Sequence, residues 1–114
     1  MTTRTPTPLH TSAPLPFAAA TNGWRIAFGD PDHQDITVTP IVGWISLPAG
    51  APSSLSDSPV EPVILWDNVK DPLIGPALEY LQSNPGIYVH QVLAPGFDVR
   101  EAPTGWKIME YGDQ

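Results

Sequence analysis

The stretch WRIAFGDPDHQDITVTPIVGWISL, residues 24–47, decides the fold predicted for this chain. In its first part, single smaller or charged residues separate the large apolar side chains of Trp24, Ile26 and Phe28. A period of two residues is typical of a strand with one buried face. The sequence therefore predicts a strand that places these three side chains on the same face.

The second part of the stretch continues as a strand but changes phase. Ile36 and Val38 alternate with threonines, whereas after Pro40 apolar residues fall on both parities. Proline has no N–H to donate, so inside a strand it usually marks an edge or a bulge. We predict a bend between Pro40 and Gly43, followed by a half-strand that is buried on both faces.

Between these two strands lies GDPDHQD, residues 29–35, the densest cluster of carboxylate and imidazole side chains in the chain. Glycine, aspartate and proline favour turns, so the cluster is predicted to be the polar turn of a β-hairpin. The alternative is a metal site with Asp30, Asp32 and His33 as ligands. A calcium loop would need a glutamate where this chain has Ile41,. A catalytic acid–base pair would require the fold to bring His33 and His90 together with Asp30 or Asp32.

The remaining periodic segments predict three further strands and one helix. The strands fall at residues 60–67, 87–94 and 106–111, and the helix has Pro76 at its first position and is stopped by Asn84-Pro85-Gly86,. The fold class is therefore α+β, a small, mainly antiparallel sheet of about five short strands in the order β-β-β-α-β-β with one short helix. A barrel-like closure is one form that such a sheet can take.

Composition divides the chain into an arm and a domain. Residues 1–20 are rich in Pro, Thr and Ala and carry one charge, Arg4. They are predicted to form an N-terminal arm that is flexible or bound to a partner, with Leu15 and Phe17 as anchors. Residues 21–114 are predicted to form a single small domain, since a chain of 114 residues fits one core,.

The charge balance bears on the class of partner. The chain has 12 acidic and 5 basic residues, with a net charge of −7. Phosphate backbones and anionic lipid surfaces repel such a protein, so we expect no nucleic-acid and no membrane partner. The chain has no cysteine and no apolar stretch long enough to span a membrane,. We expect a cytoplasmic protein without a cofactor.

The sequence contains no familiar catalytic motif. The serines of the loop at residues 48–59 are not in a G-x-S-x-G context, and the glycines are scattered singly,. The four tryptophans lie in or beside predicted strands, where they either pack in the core or anchor an interface. The residues predicted as interaction candidates are Leu15, Phe17, Trp24, Trp44, Trp66 and Trp106.

Two functional hypotheses follow. The first is a non-enzymatic protein-interaction or structural module that contacts a protein partner or another copy of itself. A partner strand added to an exposed sheet edge is one form of such contact. The second is a small metal- or ligand-binding, enzyme-like domain with its site near the turn at residues 29–35.

Overall fold

The computed structural model describes residues 17–56, 58–66 and 73–110. These residues form an α+β fold with one short helix and a mainly antiparallel sheet, which confirms the predicted class. Within the described residues no helix is long and apolar enough to cross a membrane. The elements are β1 (Phe17–Ala19), β2 (Arg25–Asp30), β3 (Asp35–Ser46), β4 (Val60–Trp66), β5 (Leu73–Pro76), α1 (Ala77–Ser83), β6 (Tyr88–Leu93) and β7 (Lys107–Glu110).

Strand β3 is the centre of the sheet, because four other strands pair with it. Its first half pairs with β2 in antiparallel and with β7 in parallel orientation. Its second half pairs in antiparallel orientation with β1 and with β4. Strand β6 extends the sheet beyond β2, and β5 extends it beyond β4. We call these two parts the β2 half and the β4 half of the sheet.

The prediction of five strands and a barrel-like sheet is wrong in its details. The described residues contain seven strands, and the sheet is not closed into a barrel. The two additional strands are β1, which lies in the predicted arm, and β5, which directly precedes the helix. They have three and four residues, which is too short for a periodic pattern to develop,.

Apolar side chains cover both faces of the sheet. Ile26 and Phe28 contribute to a core on the helix-side face, whereas the intervening Ala27 contributes to a core on the opposite, loop-side face. This confirms that Ile26 and Phe28 share a face, but β2 is buried on both faces, whereas the sequence predicts one buried face,. The helix-side core contains Ile26, Phe28, Ile41, Ile64 and Ala77. The loop-side core contains Ala27, Ile36, Val38 and Leu93. Three residues of the 94–106 loop pack against the loop-side core: Val99, Ala102 and Trp106.

Two β-bulges decide which residues face each core. The first lies between Ile41 and Gly43, and it confirms the change of phase predicted after Pro40,. The second lies in β6, where Ala27 pairs with Gln91 but Phe28 pairs with Val89, so His90 is the extra residue. The strand predicted at residues 87–94 would place Val89 and Leu93 on one face and Val92 on the other if it alternated regularly, and the bulge breaks this alternation. Val89 and Val92 both pack on the helix side, and Leu93 packs on the loop side.

Arg25 fastens the loop-side elements to β2. Its Nη1 donates a hydrogen bond to Oε2 of Glu110 in β7 at 2.5 Å, and its Nη2 donates to the carbonyl of Phe97. Four-fifths of the Arg25 side chain is shielded from solvent. Because one guanidinium contacts both β7 and the 94–106 loop, these two segments are held in a fixed position relative to the sheet.

A buried carboxylate joins β4 to the helix. Glu61 is 3% exposed, and its Oε2 accepts hydrogen bonds from the amide of Leu78 at 2.6 Å and from Oγ of Ser54 at 3.0 Å. Its Oε1 accepts hydrogen bonds from the amide of Ser54 at 2.7 Å and from Oγ of Ser53 at 3.1 Å. Leu78 lies in the first turn of α1, where an amide lacks a partner within the helix,. Glu61 therefore supplies the acceptor that Pro76, at the N-cap, cannot.

Candidate functional site

The GDPDHQD segment forms the turn between β2 and β3, with Asp30 paired with Asp35 at its base. Asp30 organises this turn. Its Oδ1 accepts hydrogen bonds from the amides of Asp32 at 3.1 Å and His33 at 3.3 Å, and its Oδ2 lies 2.7 Å from Nδ1 of His33. An aspartate that bonds the amides following it is a recurrent way of closing a turn. The structure therefore places all three predicted metal-ligand residues on one polar turn.

The contact between Asp30 and His33 shifts both titrations. Burial of the carboxyl acts to raise the pKa of Asp30. The hydrogen bonds from His33 and from the amide of Asp32, together with the charge of His33, outweigh this effect of burial, and the pKa of Asp30 is lowered below its ordinary value of 3.8,. The hydrogen bond to Asp30, followed by the charge of its carboxylate, raises the pKa of His33 above the ordinary 6.5. The ion pair is therefore more favourable in the folded than in the unfolded chain between these two ordinary values.

The turn holds a pair of interacting side chains rather than a closed ligand cage. Within residues 17–56, 58–66 and 73–110, no group of three or more His, Asp or Glu side chains is arranged to hold a metal ion. A metal bound by Asp30, Asp32 and His33 stays a prediction from the sequence. The hydrogen bond of His90 is made outside this turn: its Nε2 donates to the carbonyl of Arg100 at 2.7 Å.

The bulge in β6 positions His90 and Gln91 to hold the 94–106 loop. A bulge turns neighbouring side chains toward the same side of a sheet, where normally they would alternate. His90 donates to the carbonyl of Arg100, and the amide of Arg100 donates to Oε1 of Gln91 at 2.9 Å. Both backbone groups of Arg100 are thus bonded to side chains of β6. This clamp fixes the segment of the loop that carries the exposed Arg100 side chain.

Aromatic side chains lie beside the turn, on β6 and on the 94–106 loop. Tyr88 is paired directly with Gly29, and its ring occupies the space that a side chain at Gly29 would fill. The rings of Tyr88 and His90 have centroids 6.3 Å apart, and the guanidinium of Arg100 lies 5.8 Å from the ring centroid of Phe97. Tyr88 is 39% and Phe97 51% exposed. We call the set Tyr88, His90, Phe97 and Arg100 the β6 surface.

The structure gives the predicted interaction residues different surroundings. Phe17 is 57% exposed and its ring lies over Gly43. Trp24 and Trp44 form an edge-to-face pair with centroids 5.4 Å apart, packed against the helix-side core. Trp106 packs against the loop-side core. Their role in partner binding stays a prediction. Leu15 and the side chain of Trp66 lie outside the described residues.

Within its described residues, the serine-rich loop uses the hydroxyls of Ser53 and Ser54 to hold its own backbone and the buried Glu61. The single hydroxyl proton of Ser53 is shared between the carbonyl of Val60 at 2.7 Å and Oε1 of Glu61 at 3.1 Å, and Oγ of Ser53 accepts a hydrogen bond from the amide of Leu55 at 3.0 Å,. Ser54 uses both its amide and its hydroxyl to bind Glu61. These hydroxyls secure the loop and the buried carboxylate, which is a structural use of serine.

Sequence reasoning missed the residues of the β6 surface other than His90 as candidates. Tyr88 lies inside a predicted strand, and Phe97 and Arg100 lie between two predicted strands, where no pattern marks them. One usable signal was the sequence PGFDVR, residues 95–100, because an aromatic and a cation follow a Pro-Gly turn there,. What the sequence could not show was the pairing of Tyr88 with Gly29, which depends on the strand register.

The fold and this surface define a small α+β protein with an open seven-stranded sheet in its described part and an exposed aromatic surface beside a polar turn. Comparison of the chain with models of known protein families, with curated proteins and with solved structures finds no match.

Proposed function

We propose that the chain is a non-enzymatic protein-interaction module and that the β6 surface is its docking site. The observation that carries this proposal is a pair of exposed side-chain contacts, Tyr88 with His90 and Phe97 with Arg100, which the hydrogen bond from His90 to the carbonyl of Arg100 connects. Tyrosine and arginine are enriched among the residues that contribute most to binding at protein interfaces. A guanidinium over an aromatic ring also presents a large contact area with few freely rotating bonds.

The backbone beneath the surface supports the proposal because it is held before any partner arrives. His90 donates a hydrogen bond to the carbonyl of Arg100, and Gln91 accepts one from its amide, so the backbone of Arg100 is fixed; Arg25 likewise fixes the carbonyl of Phe97. Groups that are already ordered lose less conformational entropy on binding. The bulge also interrupts the regular edge of β6, so docking on the side chains is favoured over addition of a partner strand,.

Self-association is a second form of the proposal, supported by the exposed Phe17 on the short strand β1. The net charge of −7 acts against it, since two copies repel each other,. Sedimentation of the purified chain at high and low salt separates the two cases. If the chain is a monomer at both salt concentrations, the partner of the β6 surface is a different protein and not a second copy. A cytoplasmic location is part of the same proposal.

Site-specific photo-cross-linking tests the interaction in the native cell. A photoreactive amino acid replaces Phe97 in one full-length variant and Ile74 in a control variant, since Ile74 is 66% exposed on the distant strand β5. We expect a discrete cross-linked product from position 97 that disappears when Arg100→Ala is added, and none from position 74. Absence of any product from position 97 would overturn the proposed docking site.

A further inference from the structure

We infer that the partner presents a basic segment with an apolar anchor, and that this segment lies across the β6 surface and the adjacent turn. The inference rests on the proposed function and adds the chemistry of the partner. Its starting point is the position of Tyr88, whose ring lies over Gly29, the residue before Asp30. The apolar surface and the carboxylates of the turn are therefore neighbours.

The charges around this surface favour a cation. The described residues of the β2 half and its loops contain six carboxylates, Asp30, Asp32, Asp35, Asp98, Glu101 and Glu110, and three cations, Arg25, Lys107 and Arg100. With the Arg25–Glu110 ion pair set aside, and Asp30, which pairs with His33, four carboxylates and two cations remain. A surface with an excess of carboxylates attracts a basic segment and repels an acidic one.

The β6 surface and the adjacent turn together have two different ends, so a segment bound across them has a preferred direction. At one end Asp32 is exposed on the turn, and at the other Arg100 lies over the ring of Phe97. Lysine or arginine side chains of the partner are attracted to the turn end. The half-exposed ring of Tyr88 lies between the ends and offers the contact for an apolar side chain,.

Selection from a library of random linear peptides displayed on phage tests this inference with the full-length chain as bait. We expect the enriched peptides to contain Lys or Arg together with an aromatic or branched apolar residue. Binding of one enriched peptide is then measured by fluorescence anisotropy. Tyr88→Ala is expected to weaken it about tenfold or more. Asp32→Lys, which changes only an exposed turn residue, is expected to weaken it by a similar factor.

Matched variants separate the outcomes. Glu79→Lys makes the same change in net charge on exposed helix surface, and it is expected to leave binding within about twofold of the unmodified chain,. Enrichment of neutral or acidic peptides would overturn the inference, and so would binding that survives Asp32→Lys. An empty selection together with a cross-link at Phe97 would refute the basic segment while leaving the interaction function intact. Absence of the cross-link at Phe97 would refute both the basic segment and the proposed interaction function.

Discussion

Replacement of Glu61 by alanine should destabilise the protein more than any exposed substitution. The carboxylate is 3% exposed and accepts four hydrogen bonds, from Ser53, from the amide and hydroxyl of Ser54 and from the amide of Leu78. The hydroxyls can rotate toward other acceptors, but the two amides cannot. A buried donor left without an acceptor costs about 1–3 kcal/mol. With two such amides and a cavity, we expect a loss of about 3–4 kcal/mol in the free energy of unfolding.

Glu61→Gln separates the charge from the shape of the side chain. The amide retains one acceptor oxygen, which can still bind the amide of Ser54. Its NH₂ group then faces the amide of Leu78, so that a donor meets a donor,. We expect a loss of about 2 kcal/mol, intermediate between the unmodified chain and the alanine variant.

Urea denaturation and thermal unfolding measure these losses, with Asp98→Asn as the control because it removes one carboxylate from an exposed loop position. A change of about 3 kcal/mol corresponds to a fall in Tm of roughly 10–20 °C for a domain of this size. Amide exchange at Leu78 should accelerate in both Glu61 variants, since the first turn of α1 loses its acceptor. The reasoning fails if Glu61→Gln is as stable as Asp98→Asn, within about 0.5 kcal/mol.

Three further outcomes follow from the turn and from β6. Gly29→Ala should cost about 1–3 kcal/mol, because its Cβ would lie closer than 3.0 Å to the ring of Tyr88, and the cost should shrink in a Tyr88→Ala background,. Equal costs in both backgrounds would exclude the contact. His33→Asn should destabilise the chain at about pH 5 and less so at about pH 8.5, because the raised pKa of His33 stabilises the fold only while the ring is protonated,. A pH-independent difference in urea midpoint would contradict this. Gln91→Ala should accelerate amide exchange at Arg100 without changing exchange in β3, and unchanged exchange at Arg100 would disprove the clamp,.

The alternating pattern was sufficient to predict the centre of the fold. Strands β2 and β3, the polar turn between them, the change of phase after Pro40 and a short helix at Pro76 are all present in the structure, although the helix begins at Ala77 with Pro76 as its N-cap. Each depends on signals within a few residues of sequence: a period of two, a proline without a donor, or a turn-forming dipeptide. Local physical chemistry is decisive for these elements.

The parts that were missed depend on contacts between distant segments. Strands β1 and β5 exist because an adjacent strand offers hydrogen bonds, and no local pattern marks them. The bulge at His90 is visible only when β6 is paired with β2. The loop serines suggested only a loop, although Ser53 and Ser54 bind the buried Glu61. The candidate site was harder still to predict from the sequence. It contains a turn, a strand and a loop, and the register between β2 and β6 decides which of their residues lie side by side.

The parallel pairing of β3 with β7 has a consequence for biosynthesis. Asp35 pairs with Lys107, and β7 leaves the ribosome after the other three partners of β3 have been made. Contacts between positions so far apart in sequence form slowly, because a long loop must close first. During translation one edge of β3 at Ile36 and Val38 therefore stays unpaired until β7 has been synthesised. Nascent chains arrested before residue 107 should be digested by proteases at sites that the completed protein shields.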